Sequence, residues 1–148
     1  MRENIGLFKA KRLDNGEEVQ GYYWTNELGN HFIRVVKDKD GNFINAIDFE
    51  IDPETLCEFT GLTDKNGKMI WENDIVKASY SIDNYSSLFK TMSVENFVNV
   101  NCLVIFDFAE FKLKNPNSLY CKSILGSYNE EIIGNIHDNK NLIGEQNE

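Results

Sequence analysis

Apolar and polar residues alternate along much of the chain, which is the period expected of strands with one buried face. Residues 5–12 and 19–24 form two such stretches, and the turn sequence Asn15-Gly16 lies between them. Both turn residues tolerate the positive φ angles of a tight hairpin, so we predict a β-hairpin here. The same alternation around a second turn predicts another hairpin, and together the two occupy about residues 5–50.

Residues 53–80 contain the strongest turn signal of the sequence. The segment Asp64-Lys65-Asn66-Gly67 lies between short apolar stretches, and its glycine permits backbone angles that other residues resist. We therefore predict a further pair of short strands on either side of this turn.

Residues 81–98 suit two different structures. Tyr85, Leu88, Phe89 and Met92 follow the i, i+3, i+4, i+7 spacing of a helix. The threonine and serine residues between them have mediocre helix propensity, so the segment also suits a long hairpin insertion. We favour the helix and keep the hairpin as the alternative.

Residues 101–137 return to strand-like patterns. The near-continuous apolar run at 102–108 predicts a fully buried strand, and 131–136 predicts the last strand of the fold. Residues 119–125 suit a further short strand, and a polar tail follows at 144–148.

Many short strands joined by turn signals, with at most one or two short helices, indicate a mainly β fold, or α+β at most. We predict one domain over residues 1–148, built from hairpins as small barrel-like antiparallel sheets. Closure into a barrel would remove the exposed edges that so many strands otherwise present. The apolar fraction of 41% is sufficient for a packed core in a chain of this length.

The chain is acidic, with a formal net charge of −9. This charge repels nucleic-acid phosphates and anionic lipids at long range, so nucleic-acid and membrane partners are disfavoured. Cys57, Cys102 and Cys121 are odd in number and widely spaced, which favours a reducing compartment over a disulfide framework. The first residues form no apolar signal core, and no apolar run has the ~18 residues of a membrane span. We therefore expect a cytoplasmic protein.

Two stretches resemble the signature of a known family. Residues 53–76 read PETLCEFTGLTDKNGKMIWENDIV, and residues 131–139 read EIIGNIHDN. The first is similar to the TGL-x-DKNG-K segment of the YopX family of phage and prophage proteins, and the second is similar to the family's C-terminal VIGNIYEN end. Asn73 stands where the family usually has glycine, but asparagine also tolerates a left-handed backbone.

The resemblance implies a phage-derived, mostly β protein that acts in a bacterial host cell. It carries over no activity, no catalytic residue and no cofactor. On physical grounds both motifs are interpreted as determinants of the fold, because Gly61 and Gly67 supply turns while Ile70 and Trp71 supply core. Gly134, inside a predicted strand, indicates a bulge or a close backbone approach.

Candidate chemistry is sparse in this sequence. The two histidines, His31 and His137, stand beside no nucleophile motif, and no metal-binding spacing of histidines or cysteines occurs. The turn that begins at Asp38 is only superficially like a calcium loop, because its glycine comes too early and no glutamate closes it. We predict no catalytic, cofactor-binding or metal-binding residues, and no cofactor.

Tyr22, Tyr23 and Trp24 form an aromatic row in a predicted strand. Since successive strand residues point to opposite faces, Tyr23 is expected to point away from the other two. An exposed ring in this row could anchor a partner, although burial of both faces is the simpler interpretation.

The leading hypothesis is a non-catalytic module that binds a host or phage protein or assembles with itself, with a homo-oligomer expected. The alternative is an acidic mimic of nucleic acid that inhibits a host DNA-binding protein, and this needs carboxylates in regular rows. A small hydrolase is a further alternative, and it needs a pocket that joins a histidine to acidic residues. Nucleic-acid binding through a small barrel ranks last.

Overall fold

The computed structural model describes residues 6–86, 88–118, 121–124 and 129–144, except for the side chains of 82 and 84–86. Strands make up 62% of the structure, and the helical segments of the described ranges are two 3-10 turns. The prediction of a mainly β fold with at most two short helices is therefore confirmed. Parts of two predicted segments, the strand at 119–125 and the tail at 144–148, lie outside the described residues.

The chain divides into two compact units, Met1–Gly61 and Leu62–Glu148. The first unit contains four strands and most of a fifth, which are β1 Leu7–Lys11, β2 Glu18–Thr25, β3 His31–Lys37, β4 Phe43–Glu50 and β5 Cys57–Thr63. A 3-10 turn, Pro53–Thr55, precedes β5. The prediction of a single domain over residues 1–148 stays a prediction.

The strands of the first unit form an antiparallel sheet in the order β4-β3-β2-β1-β5. The two predicted hairpins are confirmed as the pairs β1–β2 and β3–β4. Ile33 lies in the middle of this sheet, opposite Tyr23 on one side and Phe49 on the other. Its side chain is fully buried, and it forms the core of the unit with Ala10 and Ile51.

The second unit contains the remaining strands, which are β6 Met69–Trp71, β7 Asp74–Ser86, β8 Thr91–Asp107, β9 Glu110–Lys114, β10 Cys121–Ser123 and β11 Glu131–Asn135. A second 3-10 turn spans Lys140–Leu142. Five of the strands form an antiparallel sheet in the order β10-β9-β8-β7-β11. The predicted turn before β6 is confirmed, since the Gly67 N–H donates to the Asp64 carbonyl oxygen over 3.0 Å.

The core of the second unit is supplied by alternate residues of its strands. Val76, Ala78 and Tyr80 of β7 are buried, while the residues between them are exposed, as expected for a strand with one covered face. The other buried members of this core are Ile70, Cys102, Val104, Leu113 and Ile124.

The predicted buried strand at 102–108 is only partly confirmed. Cys102 and Val104 are fully buried, but Phe106 and Phe108 at its end are exposed. The apolar run therefore extends beyond the part of β8 that faces the core.

The prediction that the sheets close as a small barrel is wrong. Within the described residues, β4 is an open edge of the first sheet, and β10 and β11 are the open edges of the second. Charged residues, short length and a bulge protect these edge strands from pairing with other chains. β4 carries Asp48 and Glu50, β10 has three residues, and β11 contains a bulge between Ile132 and Gly134.

The favoured helix at 81–98 is also wrong, and the alternative of a hairpin insertion is correct. β7 and β8 pair continuously from Ser86 opposite Thr91 to Ile75 opposite Leu103, with a single bulge. Leu88 and Phe89, which completed the helical spacing, lie in the connecting turn and are exposed. The helical spacing therefore arose by chance, because the apolar turn residues Leu88 and Phe89 are followed by Met92 of an alternating strand.

Candidate functional site

The two signature stretches meet in the second unit, where Asp64 links them. One carboxylate oxygen of Asp64 accepts the backbone N–H groups of Asn66 and Lys68, both at 2.9 Å, and the other accepts the Ile132 N–H at 3.1 Å. The Asp64 side chain is buried. Burial raises the pKa of this carboxyl, but the three N–H donors outweigh it, so the pKa lies below its ordinary value. Asp64 is thus a structural carboxylate.

Asn73 and Asp74 make a second connection between the same stretches. Asn73 has a left-handed backbone, with φ of 69°, which is the conformation that explains glycine at this family position. Its carbonyl oxygen accepts the Ile136 N–H over 2.9 Å, and the buried Asp74 carboxylate accepts the Trp71 N–H over 2.9 Å. Both residues hold strands together.

Gly134 is needed because another side chain occupies the space beside it. A Cβ at this position would lie 2.5 Å from the side-chain oxygen of Asn139. That oxygen accepts the Asn135 N–H over 3.2 Å and so closes the turn after β11. The close approach predicted for Gly134 is present, and the signature residues form the framework of the unit.

The histidines stand in different structural settings. His31 belongs to the first unit, where its Nδ1 lies 2.7 Å from the Tyr23 hydroxyl and the two rings stack at 5.9 Å. His137 belongs to the second unit, in the turn after β11, where its backbone N–H donates to the side-chain oxygen of Asn135 over 3.0 Å. Among the residues described, no group of three or more His, Cys, Asp or Glu side chains is arranged to hold a metal ion. The prediction of no catalytic, cofactor or metal residues stays a prediction.

The aromatic row of β2 is engaged in contacts within its own sheet. Trp24 stacks on Phe32 with 4.6 Å between ring centroids, and the Arg34 guanidinium lies 5.4 Å from the Trp24 ring. Arg34 also forms two hydrogen bonds, of 2.8 and 2.9 Å, with the Asp48 carboxylate. Tyr22 on this outer face is exposed. The positive charge of Arg34 on this face is therefore already paired with Asp48 within the chain.

A second exposed surface lies at the far end of the β7–β8 hairpin. Val98 and Asn99 of β8 lie opposite the single residue Ser79, which is a β-bulge. Asn99 has φ of 50°, and its N–H donates to the Ser79 hydroxyl over 2.9 Å. Beyond the bulge, residues 80–86 and 91–98 form a two-stranded ribbon of about 20 Å length, which we call the arm.

Each strand of the arm has one partner strand in the described structure. β7 pairs with β11 only from Asp74 to Lys77, and β8 pairs with β9 only from Leu103 to Asp107. In the arm, the backbone N–H and C=O groups on the outer edge of each strand therefore have no described neighbouring strand to pair with. A two-stranded ribbon of this kind is marginally stable in water, and its edges are templates for pairing with another strand.

The arm also exposes apolar side chains. Met92 and Val98 are each 70% exposed, and Val94 is 55% exposed. These three residues occur at even positions of one strand, so they share a face of the arm. The arm and its connecting turn have few charges, since only Asp83, Lys90 and Glu95 are charged at neutral pH among residues 80–98. An exposed apolar surface of low charge is typical of a protein-binding site.

The family can be decided from the whole sequence. A family model described as YopX protein matches residues 10–144, which is most of the chain. The chain belongs to the YopX family. No match to a curated protein is found.

Several carboxylates of this YopX chain form ion pairs within the chain. Arg12 pairs with Asp14 and Glu17, and Lys112 lies 3.4 Å from Asp107. The Arg34 guanidinium lowers the pKa of Asp48 below its ordinary value. Further pairs join Lys9 to Glu18 and Lys65 to Glu131. These contacts spread the acids over strands and turns of both units and give no support to the nucleic-acid mimic.

None of the three cysteines of the YopX chain forms a disulfide. Burial raises the pKa of the Cys102 thiol to about 11, and a thiol that stays protonated at neutral pH is a poor nucleophile. No helix in the described ranges has the length and hydrophobicity to cross a membrane. With its exposed apolar side chains, the arm is the most distinctive candidate site. The sequence did not predict it, because the spacing of the same apolar residues favours a helix.

Proposed function

We propose that this YopX-family chain is a non-catalytic module that assembles with itself, and that the arm is its binding surface. The observation that carries the proposal is the exposure of Met92, Val94 and Val98 on a ribbon whose outer edges pair with no other described strand. Burial of such side chains is the main favourable term in protein association. Pairing of the open edges would add backbone hydrogen bonds.

A second copy of the chain is the partner that fits this surface best. Each copy carries a net charge of −9, so two copies repel one another over most of their surfaces. The arm carries Asp83, Lys90 and Glu95, which sum to a single negative charge, so contact through the arm brings few like charges together. A symmetric dimer needs a patch that is complementary to itself, and an antiparallel strand edge meets this condition.

The proposed setting is the cytoplasm of a bacterium that carries a phage or prophage. The lack of a disulfide among Cys57, Cys102 and Cys121 supports a reducing compartment, where structural disulfides are rare. A host or phage protein could bind the assembled form through other surfaces, but self-assembly is the part of the proposal that the arm supports.

The test is the molar mass of the full chain in solution, measured by light scattering over a range of concentrations. We expect a dimer that dissociates on dilution. Val94→Asp should raise its dissociation constant by at least about tenfold, because an unpaired carboxylate would be buried at the contact. Leu28→Asp is the matched control, since Leu28 is 87% exposed in a turn of the first unit. A wild-type monomer at all concentrations, or equal effects of the two variants, would overturn the proposal.

A further inference from the structure

The arm offers two strand edges, and the exposed side chains described on them differ in chemistry. The exposed side chains described on the β7 side, Ser79, Ser81 and Asp83, are polar. The exposed side chains on the β8 side include Met92, Val94 and Val98. Apolar side chains gain more from burial than polar ones, so the β8 edge is the better surface for a partner.

The bulge limits how much of β8 can pair. Asn99 has a left-handed backbone, and its N–H points to the Ser79 hydroxyl of the neighbouring strand. A bulged strand bends and its ladder is locally disrupted at this point. The regular part of the β8 edge in the arm is therefore Thr91 to Phe97, which has seven residues.

Symmetry then restricts the register of two such edges. When two identical strands pair antiparallel about a two-fold axis, one residue of each strand lies opposite its own copy. For a segment of residues 91–97, the central position is Val94, and Glu95 is next to it. Centring on Glu95 would place two carboxylates directly opposite each other, which is destabilising.

We infer that two copies of this chain pair along β8 with Val94 at the two-fold axis, a statement that rests on the proposed self-assembly. In this register Glu95 lies opposite Ser93 of the partner subunit, and Met92 lies opposite Asn96 of the partner subunit. Met92 and Val94 of the two copies form one apolar cluster on the shared face of a four-stranded sheet. No like charges are opposed.

Disulfide trapping of the full chain tests the register. In a Cys121→Ser background, which removes the exposed native thiol, single cysteines are introduced as Val94→Cys, Ser93→Cys and Asn96→Cys. Only a residue opposite its own copy has the short Cβ–Cβ distance that a disulfide needs, so Val94→Cys should form covalent dimers at least about tenfold faster than the other two. Faster trapping at position 93 or 96 would overturn the register.

A charge substitution gives a second test that does not depend on cysteine. Ser93→Lys would place a cation opposite the partner's Glu95, twice in each dimer. Two cross-strand ion pairs should tighten the dimer by about 2- to 30-fold, and salt should reduce the gain. Centring on Ser93 would oppose two lysines and weaken the dimer, while centring on Glu95 or Asn96 would leave its affinity unchanged.

The two proposals fail in different ways. A wild-type chain that dimerises by light scattering but is trapped fastest at another position contradicts the register alone. A wild-type chain that stays monomeric contradicts self-assembly and the register together.

Discussion

Replacement of the buried carboxylate Asp64 is expected to unfold the second unit at a much lower denaturant concentration. Asp64→Ala removes the acceptor of three backbone N–H groups, those of Asn66, Lys68 and Ile132. Hydrogen bonds to a charged acceptor contribute about 1.5–3 kcal/mol each, and some of the freed N–H groups can reach water in the variant. We expect a loss of about 3–5 kcal/mol in the free energy of unfolding of this unit.

Asp38→Ala is the matched control for this prediction. Asp38 holds a similar turn in the first unit, where one oxygen accepts the N–H groups of Asp40 and Asn42 at 2.9 Å, but this turn is exposed. Water can replace the lost acceptor there, so the cost should be about 1 kcal/mol or less. The difference between the two variants isolates the effect of burial.

The assay is urea unfolding followed by tryptophan fluorescence. Trp71 reports on the second unit and Trp24 on the first, so each variant is measured with the other tryptophan replaced by phenylalanine. Equal losses of unfolding free energy in Asp64→Ala and Asp38→Ala would refute the reasoning, because burial would then make no difference.

The same carboxylate predicts a pH dependence. The pKa of Asp64 is lowered in the folded chain, so the stability it contributes is present in full above its unfolded pKa of about 3.9. That stability is lost as the pH falls through the lower, folded pKa. The difference in unfolding free energy between wild type and Asp64→Asn should therefore be constant near neutral pH and shrink in acid. A difference in unfolding free energy that grows in acid would contradict the lowered pKa of Asp64 in the folded chain.

Three further outcomes follow from buried contacts of the second unit. Gly134→Ala should cost about 1–3 kcal/mol of unfolding free energy, because the new Cβ displaces the Asn139 side chain, and Asn139→Ala in the same chain should recover part of the loss. Tyr80→Phe should leave that free energy unchanged or raise it by up to about 1 kcal/mol, since the buried Tyr80 hydroxyl forms no hydrogen bond of good geometry with the described residues. A thiol reagent should label the exposed Cys121 in the folded chain and label Cys102 only after denaturation, as mass spectrometry of digested protein would show.

The hairpins of the fold could be predicted because their signals are local. Alternation fixes which residues share a face, and a turn such as Asn15-Gly16 fixes where the strand reverses. The framework role of the signature residues was predictable for the same reason. Gly67 and Asn73 supply the left-handed backbone of turns, and Gly134 inside a strand indicates a bulge or a close approach. Closure of the sheets is not a local property, because it depends on twist and on the pairing of distant edges.

The candidate site was harder to predict, for two physical reasons. Leu88 and Phe89 belong to an exposed turn, yet their spacing from Met92 also suits a helix. Alternation at Met92 and Val94 shows that one face of a strand is apolar, but it does not show whether that face is covered. Only the positions of β9 and β11, which stop short of the arm, show that its outer edges have no neighbouring strand in the part of the chain that the structure describes.

The lengths of β7 and β8 are themselves an argument for a partner. They have 13 and 17 residues, whereas strands usually have 3–10. Tyr80 and Phe97 at the base of the arm pack on the core of the unit, whereas Met92 and Val94 beyond them are exposed and add little to that packing. An arm without a partner would expose Met92, Val94 and Val98 beside two open edges, which is the arrangement that promotes aggregation. The hairpin can therefore stabilise the fold at its base and bind a partner toward its tip.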